Sequence, residues 1–425
     1  MNDMPLRVLV VLPMYGGSLP IGRYCAQALR DLGHTVDVFD APAFHGAFSA
    51  VRGLQVTGER LRQLENAFLQ VISQAVQAKA EQFAPDLTLA LAQAPLTRQT
   101  LKRMERQGMV TAMWFVEDYK LFTYWRAFAP CYDIFAVIQK EPLLSELAAA
   151  GQPNGLYLPL AALPGFHAPQ KPEPAVQRKY GAKLSFLGAG YPNRRAAFRQ
   201  LRHLDFKIWG SDWEGDESLA AHVQQQGARI SPEEAVRIYS ASRINLNLHS
   251  SVQTRELVPP GDFVNPRTFE LAACGAFQLV DRRELMPELF ADDEVAGFSS
   301  MQELLERIDY FLARPAERAA FAERGRQRVL RDHTYHKRMD TLIGFIRERK
   351  AGWPARARGE GLPADLPPGL RADLADLLAG LGLPENAPLE DVMLRLRQRS
   401  GVLSPLETNL LFLDEWRKLY TKNAR

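Results

Sequence analysis

Short, almost uninterrupted apolar runs recur along this chain, each followed by a turn and then by helical periodicity. Arg7–Leu12 is the first such run. A run of this length and composition predicts a strand buried on both faces, as in a parallel sheet. Pro13–Pro20 is a turn-rich loop containing Gly16-Gly17, and Ile21–Leu32 has helical spacing and stops at Gly33. Glycine is the favoured residue just past a helix end. Thr35–Phe39 supplies the next strand, which completes a β-α-β unit with an expected right-handed crossover.

The alternation continues. It predicts a long amphipathic helix over Gly58–Phe83, strands at Leu87–Leu91, Val110–Val116 and Ile134–Ile138, helices at Thr97–Gln107 and Glu141–Ala150, and a last strand at Tyr157–Leu160. Gly165–Tyr180 is rich in Pro, Lys and Glu and reads as a linker. The pattern then restarts, with strands at Lys183–Leu187, Phe206–Trp209, Ile244–Leu248 and Phe277–Val280. Helices are expected at Arg194–Leu204, Pro232–Ser240, Pro266–Cys274, Met301–Leu312, Pro315–Arg331 and Tyr335–Lys350. Two doubly wound α/β domains follow, at residues 1–164 and 181–350. Gly352–Leu370 is a second linker, and Ala372–Tyr420 is Leu-rich and largely helical, giving a small appendage over 371–425. That appendage is either structural or a docking element for a protein partner.

Composition narrows the function. With 52 Lys and Arg against 49 Asp and Glu, the net charge of +3 is too small to argue for nucleic acid. The basic stretch Arg324–Arg338 is interleaved with apolar residues and reads as a solvated helix face. Cys25, Cys131 and Cys274 match no zinc spacing, and an odd count suits a reducing compartment. Cys25 and Cys274 fall inside predicted helices, as small core residues. No apolar run approaches a membrane span, and no basic stretch followed by an apolar segment opens the chain. The expectation is a cytoplasmic enzyme.

The strongest local signal is Gly261-Asp-Phe-Val-Asn-Pro-Arg-Thr-Phe-Glu270, continuing to Gly275. Asn265 can cap a helix starting at Pro266. The amides of Arg267 and Thr268 would then be unpaired at a positive helix end, a ready site for a diphosphate. Glu270, one turn in, can reach ribose hydroxyls, and Asp262, eight positions earlier, can face the sugar. A capped helix with a surface glutamate explains the pattern equally well.

The second signal is Phe186-Leu-Gly-Ala-Gly190 with Arg194 and Arg195. A glycine turn between strand and helix lets backbone approach phosphate, and the arginines add permanent charge. Asn193 stands where the dinucleotide fingerprint has its third glycine, so a nicotinamide cofactor fits poorly, and a plain tight turn is the alternative. Gly16 and Gly17, at the end of the first strand, are candidates for donor or acceptor contact, or an ordinary turn. Glu117 and Asp118 end a buried-type strand and are candidate acceptor-side carboxylates, or merely the polar start of a loop. His249 follows another strand, where it can donate to a phosphate or face solvent. His333 and His336 read as structural. No cluster has metal-ligand spacing, and the Asp-x-Asp signature of metal-dependent sugar transfer is missing.

Taken together, Trp114–Asp118, Phe186–Gly190 with Arg194, Asn245–His249, Asn265–Glu270 and Ala273–Leu279 resemble the CgeB-like, spore-maturation-type glycosyltransferases, over about residues 5–350. The resemblance implies a GT-B fold, in which two Rossmann-like domains face a cleft. It also implies a nucleoside diphosphate sugar held by the C-terminal domain, no metal and no cofactor. By similarity to the wider retaining GT-B group, Glu270 matches the ribose-binding glutamate. Asp262 takes the place of an earlier glutamate that contacts the donor sugar, and is one methylene shorter. Arg194 or Arg195 stands for one member of that group's basic pair. The implied activity is sugar transfer, with retention favoured, to a protein, polysaccharide or small-molecule acceptor. A nucleotide-sugar epimerase of the same fold and a non-catalytic sugar-nucleotide-binding scaffold are the competing readings.

Overall fold

The computed structural model describes residues 5–252, 257–258, 261–354, 365–399 and 401–422. Eleven strands are present among them: β1 Arg7–Val11, β2 Thr35–Phe39, β3 Leu87–Leu91, β4 Val110–Phe115, β5 Ile134–Val137, β6 Gly155–Tyr157, β7 Ala182–Leu187, β8 Phe206–Trp209, β9 Ser242–Asn247, β10 Gln278–Asp281 and β11 Ala296–Phe298. They form a six-stranded sheet in the order β2-β1-β3-β4-β5-β6 and a five-stranded sheet in the order β11-β10-β9-β7-β8. The pairings of β1 with β2 and β3, and of β7 with β8 and β9, are parallel. This is the expected α/β class with two doubly wound sheets. In each sheet the chain order reverses between the first and third strands, β1/β3 and β7/β9, the points where such folds bind ligands beyond the carboxyl ends.

The chain divides into two compact units, Met1–Ala112 with Ile346–Arg425, and Met113–Phe345. In the second unit, Leu184, Phe186, Leu246, Leu248 and Leu279 from the sheet pack with Phe198, Trp213 and Phe311. Phe198 stacks on Trp213 at 5.7 Å between ring centres. Such burial supplies most of the driving force for folding.

In the first unit, the C-terminal region forms helices at Pro368–Gly380, Leu389–Gln398 and Pro405–Lys422. Gln398 Nε2 donates to the Val36 carbonyl at 3.0 Å, Arg395 Nη2 to the Gly33 carbonyl at 2.5 Å, and Arg7 pairs with Asp391 at 2.9 Å. β2 is the outer strand of its sheet, and unpaired carbonyls on such an edge invite unwanted pairing. Gln398 satisfies one of them, at Val36, from within the chain. Phe412 and Trp416, at 69% and 51% exposure, remain on the surface.

Three sequence expectations shift. The Gly165–Tyr180 linker contains a helix, Pro174–Tyr180, with proline in its first turn. The strand expected at Tyr157–Leu160 lies at Gly155–Tyr157; Pro159 within the expected run lacks a donor for the ladder. The helix expected from Arg194 begins at Pro192 and gives way to a 3-10 turn at Arg199–Leu201. Short elements with little periodicity, such as the helix Met286–Leu289 and β11, were not legible. Residues 355–364 of the second linker lie outside the described residues. Among those described, no helix is long and apolar enough to cross a membrane.

Candidate functional site

Alternation along β9 explains why a site forms beside it. Successive strand residues point to opposite faces. Leu246 and Leu248 face the apolar core, while Asn245, Asn247 and His249 carry buried polar side chains. Buried polar groups need partners; Asn245 accepts from Ser185 Oγ on β7 at 3.0 Å and donates to the Tyr239 and Phe277 carbonyls, each at 3.2 Å, while Asn247 and His249 find theirs on or beside the following helix and strand. Asn247 Nδ2 donates to Thr268 Oγ1 at 2.9 Å and Gln278 Oε1 at 3.1 Å. Asn247 Oδ1 accepts from Asn265 Nδ2 at 2.8 Å. Gln278 Nε2 closes the loop on the Thr268 carbonyl at 2.8 Å.

His249 completes this network. Its ring is 2% exposed, and both nitrogens are used. Nδ1 lies 2.7 Å from Asp281 Oδ1, and Nε2 accepts the Asn265 N–H at 2.8 Å. Those partners require the neutral tautomer with its proton on Nδ1. Burial also pushes this imidazole below its ordinary range. His249 is therefore neither solvent-facing nor aimed at a ligand in this structure; it orients the Asn265 peptide.

The Pro266–Ala273 helix starts as expected. Asn265 Oδ1 accepts the Thr268 N–H at 3.1 Å, and Pro266 has no N–H. Contrary to expectation, the cap uses the Thr268 amide, so Arg267 carries the first-turn N–H that helix and cap leave over. Gly275, at φ +62°, ends the helix in the left-handed region. Glu270, one turn in, receives the Tyr239 hydroxyl at 3.3 Å and lies 4.0 Å from His167 Nε2. Its side chain keeps 15% exposure, so a ligand can reach it. Tyr239 also accepts from Arg267 Nε at 3.0 Å, which ties the guanidinium to the carboxylate through one phenol.

Asp262 lies before the helix. Its Oδ1 accepts from Gln139 Nε2 at 2.8 Å and its Oδ2 from the Lys140 N–H at 3.2 Å. Glu117 and Asp118 are half-buried after β4. Glu117 accepts the Tyr124 hydroxyl at 3.0 Å, and Asp118 accepts the Lys120 N–H at 2.8 Å.

With this geometry in view, comparison with known proteins is informative. Residues 177–344 match the glycosyl transferase-like family model. Over 253 residues the chain is 25% identical to the spore protein CgeB of Bacillus subtilis, covering 56% of this chain and 76% of that one. The chain is thus similar to the CgeB-like glycosyltransferases. Solved structures agree on the GT-B fold. Sucrose-phosphate synthase from Thermosynechococcus elongatus superposes with a TM-score of 0.55 at 14% identity, over 81% of this chain and 99% of that one. The Anabaena protein HepE, in complex with UDP and glucose, gives 0.56 at 11% identity, over 81% of this chain and all of that one.

The two arginines expected at phosphate are spent elsewhere. Arg194 is 7% exposed and donates to the Leu248 carbonyl at 2.9 and 2.7 Å and to the Ala189 carbonyl at 2.9 Å. Arg195 donates to the Gly190 carbonyl at 2.7 Å, to Trp213 and Glu214 at 3.2 and 3.1 Å, and to Asp212. Both shape the loops around Gly188–Gly190 instead of pointing outward. The glycines serve close packing as well. A Cβ on Gly190 would sit 2.0 Å from the Asp212 carbonyl oxygen. The N–H groups of Gly188 and Gly190 are taken by the Trp209 and Ser211 carbonyls at 2.8 and 3.0 Å. Asn193 replaces a glycine because its side chain clamps the chain beyond β9, donating to the His249 carbonyl and accepting the Ser251 N–H, each at 2.9 Å.

Gly16 and Gly17 belong to the other unit, at the start of the Ser18–Asp31 helix, where Gly16 has φ +103°. Sequence reasoning missed Tyr239, Asp281, His167 and Gln139. Tyr239 lies on the helix expected at Pro232–Ser240, Asp281 directly follows the strand expected at Phe277–Val280, and His167 lies in the supposed linker. Gln139 had one readable signal: it follows a buried strand at its carboxyl end.

Proposed function

We propose that this chain transfers a sugar from a nucleoside diphosphate sugar to an acceptor, without a metal ion, and that the donor sits at the Asn265–Glu270 helix start. The observation that carries this reading is Glu270. Its partly exposed carboxylate stands one turn inside a capped helix, beside the central strand of the second sheet and near its switch point. A carboxylate there accepts both hydroxyls of a ribose.

The diphosphate then falls toward the helix start. The Arg267 N–H and guanidinium supply the charge assigned from sequence to Arg194 and Arg195. Burial first, and then the neighbouring Arg267, work against the charge on Arg194, while Asp281 favours it; the positive potential proposed at the helix start is that of Arg267 and the helix end. That potential stabilises the leaving diphosphate as its charge develops. Asp262 faces the donor sugar, Glu117 and Asp118 are the candidates for receiving the acceptor proton, and retention follows the Asp262/Glu270 spacing.

A thermal-shift panel of nucleoside diphosphates and their sugars tests the reading, with UDP first because the HepE structure contains it. A ligand at about a hundred times its Kd adds about 2.7 kcal/mol to stability. At least one should raise the Tm by several degrees; a panel that moves it nowhere would overturn the proposal.

A further inference from the structure

Gln139 stands two residues past β5 and is 3% exposed. Both ends of its amide are used. Oε1 accepts the Tyr119 N–H at 3.0 Å, and Nε2 donates to Asp262 Oδ1 at 2.8 Å. Tyr119 directly follows Glu117 and Asp118, and its carbonyl is held by Trp125 Nε1 at 3.1 Å. One planar side chain thus spans the loop of acceptor-side carboxylates and the donor-side carboxylate. The task demands an acceptor at one end and a donor at the other, which a planar amide supplies without titrating. A buried amide bonded at both ends in this way is a rigid spacer.

We propose that Gln139 is a positioning residue, which fixes the Asp262 carboxylate and holds it in register with the Glu117–Tyr119 loop. Its functional consequence rests on the donor-site reading above; the clamp itself does not.

Gln139→Glu separates the two. A protonated glutamic acid reproduces the clamp, its O–H donating to Asp262 and its carbonyl accepting from Tyr119. Once that proton leaves, two carboxylates face each other in a buried place, which raises the proton affinity of the pair. A group whose folded-state affinity for protons is raised contributes stability at low pH and loses it as pH rises. Other charged or titratable groups nearby are Asp118, Tyr119, Glu146 and Arg126 on one side, and Lys140, Glu288, Tyr157 and Arg338 on the other; the carboxylates among them reinforce the raised proton affinity of a carboxyl at 139, and the cations oppose it.

The Gln139→Glu protein should melt with the wild type at about pH 5 and on the order of 5 °C below it at about pH 8. Adding Asp262→Asn should remove that pH dependence. A Gln139→Glu curve parallel to wild type across this range would overturn the clamp. The isosteric Gln139→Met protein then tests function by calorimetry. UDP should bind as in wild type, while the extra affinity of UDP-glucose over UDP falls roughly tenfold, about 1.4 kcal/mol. Equal losses for both ligands would reduce Gln139 to a structural residue. If the wild type binds neither, the donor-site reading fails, and the melting curves alone decide the clamp.

Discussion

Replacing Asp281 with alanine should destabilise the Met113–Phe345 unit by about 3–5 kcal/mol, the usual cost of breaking a buried charged cluster by removing one partner. Asp281 has no exposed surface. It accepts the His249 N–H at 2.9 Å, faces His249 Nδ1 at 2.7 Å, and lies 3.7 Å from Arg283 Nη1. Removing it leaves an imidazole N–H, a backbone N–H and a guanidinium in the interior with one partner fewer each. His249 would no longer be held in the tautomer that accepts from Asn265, so the helix start should loosen too. Urea unfolding measures the first effect, with a Tm fall on the order of 10 °C as its thermal counterpart. A variant within about 1 kcal/mol of wild type would show that the cluster contributes little.

Glu270→Ala should leave stability nearly unchanged and remove donor affinity. The carboxylate is at the surface of the site, with one long hydrogen bond from Tyr239 at 3.3 Å, so little is lost in the free protein. Two ribose hydroxyls on a charged acceptor contribute about 1.5–3 kcal/mol each. Their loss weakens binding by roughly 10²-fold or more. Glu270→Gln should fall between, since its amide accepts one hydroxyl well and meets the other with an N–H. Calorimetry with the best diphosphate from the thermal-shift panel decides this, and an Ala variant of wild-type affinity would contradict the ribose assignment. The contrast matters because Asp281 and Glu270 lie on the same short helix–strand unit. One should cost stability with affinity following, the other affinity alone.

The sequence carried the fold because its signals were local. Apolar runs such as Leu87–Leu91 and Ile134–Val137 mark strands, and Asn265 and Gly275 mark both ends of the site helix through backbone rules that need no partner. The site was less legible because its decisive contacts are long-range. Nothing near Arg194 reveals that its guanidinium is committed to the Leu248 carbonyl, 54 residues away. Nothing near Asp262 reveals Gln139, 123 residues back. Arginine beside a glycine turn reads as a phosphate ligand, yet five donors and a rigid fork also suit a loop full of carbonyls. His249 was ambiguous for a similar reason: a histidine after a strand points to the ligand edge, and only Asp281 and Asn265 together fix its tautomer.

The central claim is that a nucleoside diphosphate sits on the Asn265–Glu270 helix start, and a crystal structure of the complex tests it most directly. Both ribose hydroxyls should lie within about 3 Å of the Glu270 carboxylate, with the diphosphate on the Arg267 N–H. A nucleotide bound instead at the Gly16–Ser18 helix start, with Glu270 still on Tyr239, would contradict it.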